Sequence, residues 1–390
     1  MDVDALRREI PALGRLVYLN TGWAGLSPDG VLRAVGAGLE SERDLGRTTA
    51  GALAEREATL DGARRAVARL IGASEEEICL LENTSEGINT VMNGLDWQPG
   101  DEVVTCTLEH SSVLLPCFFL ARRRGVGVRV AEIGFADSED EIVDRFGTLL
   151  GPRTRLVMLS HVAYCSGLRL PVARIARLAH EQGAHVLVDG AQSAGQIAVD
   201  VGDLACDYYA LPGQKWLLGP DGTGALWVRR SLVGELMPGK IAEHAATAFD
   251  FSGRMETVSA MRKFELTTQS AALFAGWTAA IDGHLQRGPG SVEAQGRQLA
   301  QGLRERLARV PGLIDYSPPA ELQRTALVTF GLAGWPAEAL TEALWSRFRI
   351  VARALLYPPA VRYSVACYNT AEEIERAAAA VEDLAQESPG

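Results

Sequence analysis

From residue 78 to residue 189 the chain alternates short apolar runs with amphipathic ones, and that rhythm leaves few folds open. ICLL (78–81), VVTC (103–106), VRVAEI (128–133), LVMLS (156–160) and AHVLVD (184–189) read as strands, and two more follow at 207–211 and 224–228. Helical stretches separate the first five: 85–95, then a helix running from the Glu109-His110-Ser111 step to Arg124, then 138–149 and 171–182. Strands that are apolar throughout are buried on both faces, and strand–helix alternation joins parallel neighbours. The expected core is therefore an α/β layer structure with a mostly parallel seven-stranded sheet covered by helices. Upstream lie a short amphipathic helix within 1–15, a strand breaking into a Gly-rich loop (17–28), and helices over 29–45 and 54–72.

The rhythm stops after Val228. Residues 231–265 read as irregular, helices follow over 268–287 and 291–309, and GPGS (288–291) punctuates the join. The remainder mixes strands (325–331, 349–353, 361–366) with helices (336–347, 370–386), the last opened by a Thr370–Glu373 capping box. A chain of 390 residues exceeds one typical core. The expected division is a large domain over 16–284 and a smaller α+β domain over 285–390 that also takes in 1–15.

Charge and cysteine usage narrow the partners. A net charge of −11 argues against nucleic acid or an anionic membrane as ligand. The first residues lack an apolar signal-like run and no stretch approaches a membrane span, so the expected location is the cytoplasm. The six cysteines form no CxxC pair and no HExxH is present, so no metal site is expected.

Lysine is scarce: of 38 basic Lys and Arg residues only Lys215, Lys240 and Lys263 are lysines. Lys215 sits in an apolar, Gly-flanked turn, where its capacity to lose a proton and form a Schiff base distinguishes it from arginine. In such sheets, ligands lie beyond the carboxyl ends of the strands. The residues just past those ends are Thr84 and Ser85, His110, the 161–167 segment, Asp189 with Gln192, and Gln214 with Lys215. A helix N-terminus with hydroxyls binds phosphate, a strand-end carboxylate pairs with a cation, and a neighbouring lysine holds an aldehyde. Pyridoxal 5′-phosphate (PLP) has a phosphate, a protonated ring nitrogen and an aldehyde, so one cofactor accounts for these positions. A dinucleotide site would need a GxGxxG turn after an early strand, and none is present.

NTSEGIN (83–89), EHSS (109–112), SHVAYCSG (160–167), VDGAQSAG (188–195), GQKW (213–216), KFELTTQ (263–269) and VRYSVACYNTAEEI (361–374) carry a resemblance over nearly the whole chain. It resembles the class-V aminotransferase-fold PLP enzymes, in particular the cysteine desulfurases and cysteine or cystine C–S lyases. The resemblance implies PLP fold type I and a homodimer whose active sites are shared across the interface. It places the Schiff base on Lys215, Asp189 on the pyridine nitrogen, Gln192 near the phenolic oxygen, His110 on the ring face, and Thr84 and Ser85 on the phosphate. Gln214 can still donate to the phosphate, Thr268 falls where relatives reach the partner subunit's phosphate, and Arg362 matches the arginine gripping the substrate carboxylate. Asn20 and Tyr164 complete the expected substrate contacts, and Lys215, His110 and Asp189 the expected catalytic set.

Three departures shape the expected reaction. Pro212-Gly213-Gln214 stands where desulfurases carry Ser-Gly-His, and Tyr164 replaces their usual asparagine. The segment VARALLYPPAVRYS (351–364) is short and lacks the cysteine that receives sulfur in persulfide-forming desulfurases. The expected activity is therefore C–S cleavage by β-elimination from a small sulfur-containing amino acid. Desulfurase, epimerase and aminotransferase chemistry of the same fold are the alternatives, with a catalytically degenerate scaffold as the non-enzyme reading.

Overall fold

The computed structural model describes residues 1–387. Helix α1 (Val3–Arg8) and the two-residue strand β1 (Val17–Tyr18) precede α2 (Asp29–Leu45) and α3 (Ala50–Ile71). Strands and helices then alternate: β2 (Ile78–Leu81), α4 (Thr84–Gly94), β3 (Glu102–Cys106), α5 (Ser111–Arg124), β4 (Gly127–Ala131) and α6 (Glu139–Leu149). The series continues with β5 (Thr154–Ser160), α7 (Val172–Glu181), β6 (His185–Asp189), α8 (Val201–Leu204), β7 (Tyr208–Pro212) and β8 (Gly224–Val228).

These strands form one seven-stranded sheet in the order β2-β8-β7-β6-β5-β3-β4. Only β8 runs against its neighbours, pairing antiparallel with both β2 and β7. The expectation of a mostly parallel, helix-covered sheet holds, and the physical reason is burial: β2, β3, β7 and β8 are buried at every position. Six strand directions agree, so their carboxyl ends face one edge. Local signals fix the helices there. Asn83 caps α4 by accepting from Glu86 N at 2.9 Å, Ser138 and Glu141 form a capping box on α6, and Gly72 and Gly125 end α3 and α5 in the left-handed region.

The stretch 231–265, expected to be irregular, contains an exposed antiparallel hairpin, β9 (Ala246–Phe249) and β10 (Met255–Thr257). Helices α9 (Ala271–Arg287) and α10 (Pro289–Leu307) meet at Gly288, whose φ is +81°. Residue 284, the expected domain limit, falls inside α9, and the backbone break comes at that glycine. Beyond it lie β11 (Leu313–Asp315), β12 (Leu327–Leu332), α11 (Ala337–Phe348), β13 (Ile350–Val351), β14 (Arg353–Leu355), β15 (Ala360–Ser364) and α12 (Ala371–Ala385).

A second, antiparallel sheet has the order β11-β12-β15-β14. The single strand expected over 349–353 is two. β13 pairs in parallel with β1, whereas β14 turns back through Tyr357–Pro358 onto β15. The N-terminal segment thereby packs into the C-terminal core: Leu6, Ile10, Leu13, Val17 and Leu19 share one buried cluster with Leu327, Val361 and Tyr363.

One buried ion pair ties the outer helices to the sheet. The Arg64 guanidinium on α3 grips the Glu265 carboxylate through two N–H donors, one at 3.1 Å, and Glu265 also accepts Leu80 N from β2 at 3.0 Å. Both side chains are buried, so removing Arg64 strands the Glu265 charge, at about 3–5 kcal/mol, whereas without Glu265 the guanidinium would keep Asp61 at 2.6 Å. Arg64→Met is expected to lower the denaturation midpoint by that order, and the double variant Arg64→Met/Glu265→Leu to recover most of it. Equal losses in single and double variants in urea titrations would refute the coupling.

Candidate active site

At the carboxyl edge of the large sheet lies a cavity of about 450 Å³, within the range of small-molecule and cofactor sites. Its walls come from the large sheet, from the Gly22–Trp23 loop, and from the β14–β15 hairpin.

Helix α4 delivers its N-terminus to this cavity because two glycines let it press on the sheet. A Cβ on Gly87 would sit 2.9 Å from Ala210 Cβ, and one on Gly224 would sit 2.8 Å from Asn83 Cα. Thr84 Oγ1, at the first helical position, is buried without a hydrogen-bond partner, and Ser85 lines the cavity beside it. An unpaired buried hydroxyl beside free helical N–H groups suits an anion.

Asp189 ends β6 and is buried; its Oδ1 accepts Ala191 N at 2.8 Å. Burial raises its pKa, opposed by the charge of Lys215. Lys215 projects into the same cavity, and among the described residues no hydrogen bond or ion pair engages its amino group. Burial pulls its pKa down to about 8, with Asp189 opposing and Arg362 reinforcing the shift. This lysine therefore gives up its proton more readily than an exposed one.

His110 caps α5: its Nδ1 accepts Ser112 N at 3.1 Å. Burial, then the charges of Lys215, Arg362 and Arg353, lower its pKa to about 4, so its ring is neutral. Tyr164 meets that ring edge-on with centroids 5.0 Å apart. Arg362 on β15 is buried and donates from Nη1 to Tyr164 O at 2.8 Å, while its Nε has no partner. Burial and neighbouring Arg353 pull its pKa down to about 10. A guanidinium with spare buried donors suits a carboxylate.

Other expected residues are placed differently. Gln192 lines the cavity, but its amide is engaged with Trp216 Nε1 at 2.9 Å and Gly22 O at 2.8 Å, which ties the loop after β6 to the N-terminal segment. Gln214 lines the cavity and leaves its buried Oε1 unpartnered. Asn20 bridges to Ser364 and is buried outside the cavity lining, its Oδ1 unpartnered. Thr268 is exposed and is not brought to this cavity by its own chain; its φ of +67° is unusual for a β-branched residue.

Sequence reasoning missed Arg353 and Trp23. Arg353 stands opposite Arg362 in the β14–β15 register, lines the cavity, and lies 3.8 Å from the Trp23 ring centroid. The signal was available in the two arginines placed symmetrically about Tyr357–Pro358, a hairpin that reading 349–353 as one strand conceals. All six cysteines are buried and none lines the cavity.

The donor set fits a phosphorylated pyridine aldehyde: an orphaned hydroxyl at a helix N-terminus, a strand-end carboxylate, a neutral imidazole and an unengaged amine. Comparison with known proteins agrees. A family model described as Aminotransferase class-V matches residues 17–377. A probable cysteine desulfurase of Methanothermobacter thermautotrophicus is 33% identical, over 99% of this chain and 98% of its own. An isopenicillin N epimerase of Streptomyces clavuligerus is 32% identical, over 86% of this chain and 87% of its own. Two solved structures of the cystine C-S lyase C-DES share 27% identity. One, a mutant with glycine covalently linked to its PLP cofactor, superposes with a TM-score of 0.90 over 97% of this chain and 99% of that one. The other, with the reaction product cysteine persulfide, has a TM-score of 0.89 over 96% and 99%. On the match across residues 17–377, this chain belongs to the class-V aminotransferase family.

Proposed function

We propose that this protein is a PLP-dependent enzyme that cleaves the C–S bond of a sulfur-containing amino acid by β-elimination. The observation that carries the reading is the unengaged Lys215 amine, facing the same cavity as Asp189, the orphaned Thr84 hydroxyl and the spare donors of Arg362.

Thr84, Ser85 and the start of α4 would hold the phosphate, Asp189 the ring nitrogen and His110 a ring face. When bound, PLP supplies an electron-accepting ring that stabilises negative charge at the substrate Cα. Arg362 binds the α-carboxylate and so orients the Cα–H bond. Lys215 Nζ, neutral above about pH 8, takes the Cα proton. The electron pair of the broken Cα–H bond then expels the Cβ substituent, sulfur leaving with the electrons of the Cβ–S bond. Hydrolysis of the resulting enamine yields a keto acid and ammonia. Elimination is favoured over desulfuration because no cysteine lines the cavity to accept sulfur. Arg353, beside Arg362, favours a substrate whose leaving group carries a second carboxylate, such as cystine.

The functional unit in this reading is a homodimer of two-lobed subunits, with the lobes divided near residue 285. Thr268, exposed and strained, reaches the partner's phosphate site. Among the described residues no helix is long and apolar enough to cross a membrane, and the six unpaired cysteines suit the reducing cytoplasm.

Three outcomes are expected. Purified protein with PLP is yellow and turns cystine into pyruvate, ammonia and cysteine persulfide, whereas Lys215→Ala loses turnover; alanine with an enzyme-bound persulfide would overturn elimination. Arg353→Ala raises KM for cystine about tenfold or more, with a smaller change for cysteine, since one charge-assisted hydrogen bond is lost. The rate at which apo-protein captures PLP rises with pH through a midpoint of about 8, read by absorbance; a midpoint at the ordinary lysine value would refute the lowered pKa.

A further inference from the structure

The mechanism above leaves unused a buried carboxyl that touches the cavity wall. Glu109 lies just before His110 and is buried, with its side chain against the end of β5. Strands β3 and β5 are parallel neighbours, so Glu109, three residues past β3, reaches Ser160, the last residue of β5. Its two oxygens have distinct partners. Oε1 accepts Ser160 N at 2.8 Å and the Cys106 thiol at 3.4 Å, and Oε2 meets only Ser160 Oγ, at 2.5 Å. Among the described residues Glu109 forms no ion pair.

Ser160 is also a cavity residue, and in the β5–β6 register it stands directly opposite Asp189. Two carboxyl groups thus share one end of the sheet, with a single serine between one of them and the cavity. A buried carboxyl with no cation beside it, and with a second carboxyl at the same end of the sheet, is favoured in its protonated form. Asp189 faces the cationic Lys215, whereas the titratable groups facing Glu109 are Asp189 and the thiols of Cys106, Cys117 and Cys165, with Tyr164 beyond. None of these is a cation, so Glu109 is the member that retains the proton. Burial, with Asp189 adding to it, raises its pKa to about 7 against the opposing hydrogen bonds from Ser160.

We propose that Glu109 is a positioning residue of this site: its buried carboxyl, which faces no cation, retains a proton, and through Ser160 Oγ it decides whether the cavity beside Asp189 is offered a hydroxyl donor or only lone pairs. With Oε2 protonated, Glu109 donates to Ser160 Oγ, and the Ser160 O–H is free to point into the cavity. With Oε2 ionised, the Ser160 O–H is committed to Glu109. The inference rests on the PLP reading for what the donor serves, and on the two hydrogen bonds for how it is controlled.

Difference infrared spectra of apo-protein across about pH 7 test the proton, and the visible absorbance of PLP-loaded protein tests its effect. Wild-type apo-protein is expected to show a carboxylic C=O band that disappears as pH rises, and Glu109→Gln, a near-isostere of the protonated form, to lack it. In the loaded protein the wild-type absorbance shifts with the same midpoint, while Glu109→Gln holds the low-pH spectrum throughout. Ser160→Ala keeps the infrared band but loses the absorbance shift, and it serves if Glu109→Gln does not fold. A band that persists in Glu109→Gln, or one absorbance titration common to wild type and both variants, overturns the proposal. Protein that shows the band but takes up no PLP instead refutes the cofactor reading and leaves the proton assignment standing.

Discussion

Close backbone approach around the Lys215 turn is the constraint on which the rest of the site depends. A Cβ on Gly25 would lie 2.3 Å from Lys215 O, and one on Gly195 would lie 2.8 Å from Leu217 N. Within the turn, a Cβ on Gly213 would strike Thr223 Oγ1, and one on Gly219 would reach 2.8 Å from Trp277 Cδ1. Main chain from the N-terminal segment, the loop after β6 and the turn itself therefore meets with no side chain between, and buried Trp277 of α9 closes the far side. The lysine is held by packing that leaves its amine free. A side-chain hydrogen bond to the ammonium would have fixed the residue equally well and favoured the charged form.

Electrostatics follows from that packing. The cavity gathers Lys215, Arg362 and Arg353 against the single buried carboxylate of Asp189, with the neutral His110 ring among them. An excess of positive charge at a partly buried site is costly without a counter-ion. The lowered pKa values of Lys215 and Arg362 express that cost. A ligand bringing a phosphate and one or more carboxylates offsets that imbalance.

The large sheet was legible in the sequence because its strands are apolar on both faces, a pattern only double burial explains. Lys215, Asp189, His110, Thr84 and Ser85 follow strand ends, so the strand pattern alone carried them to one edge, where the structure brings them together. Features that depend on pairing between distant segments were not legible. Arg353 acquires its place from a hairpin register, Gln192 spends its amide on Trp216 and Gly22, and Asn20 is drawn behind the wall by its bridge to Ser364. The β9–β10 hairpin was missed because its exposed strands lack a buried face to impose alternation.

The β1–β13 pairing and the Asn20–Ser364 bridge fasten the loop containing Gly22 to the sheet that bears Arg362. A Cβ on Gly22 would meet Ser364 Oγ at 2.8 Å, an Arg362 nitrogen at 2.9 Å and Gln192 Oε1 at 3.0 Å. Lys215 and Asp189 belong to the other sheet. The span between Arg362 and Lys215 is thus measured across a seam, as in a caliper whose jaws belong to different sheets. Substitutions along the seam, even at Asn20 or Ser364 outside the cavity lining, would reset that gauge.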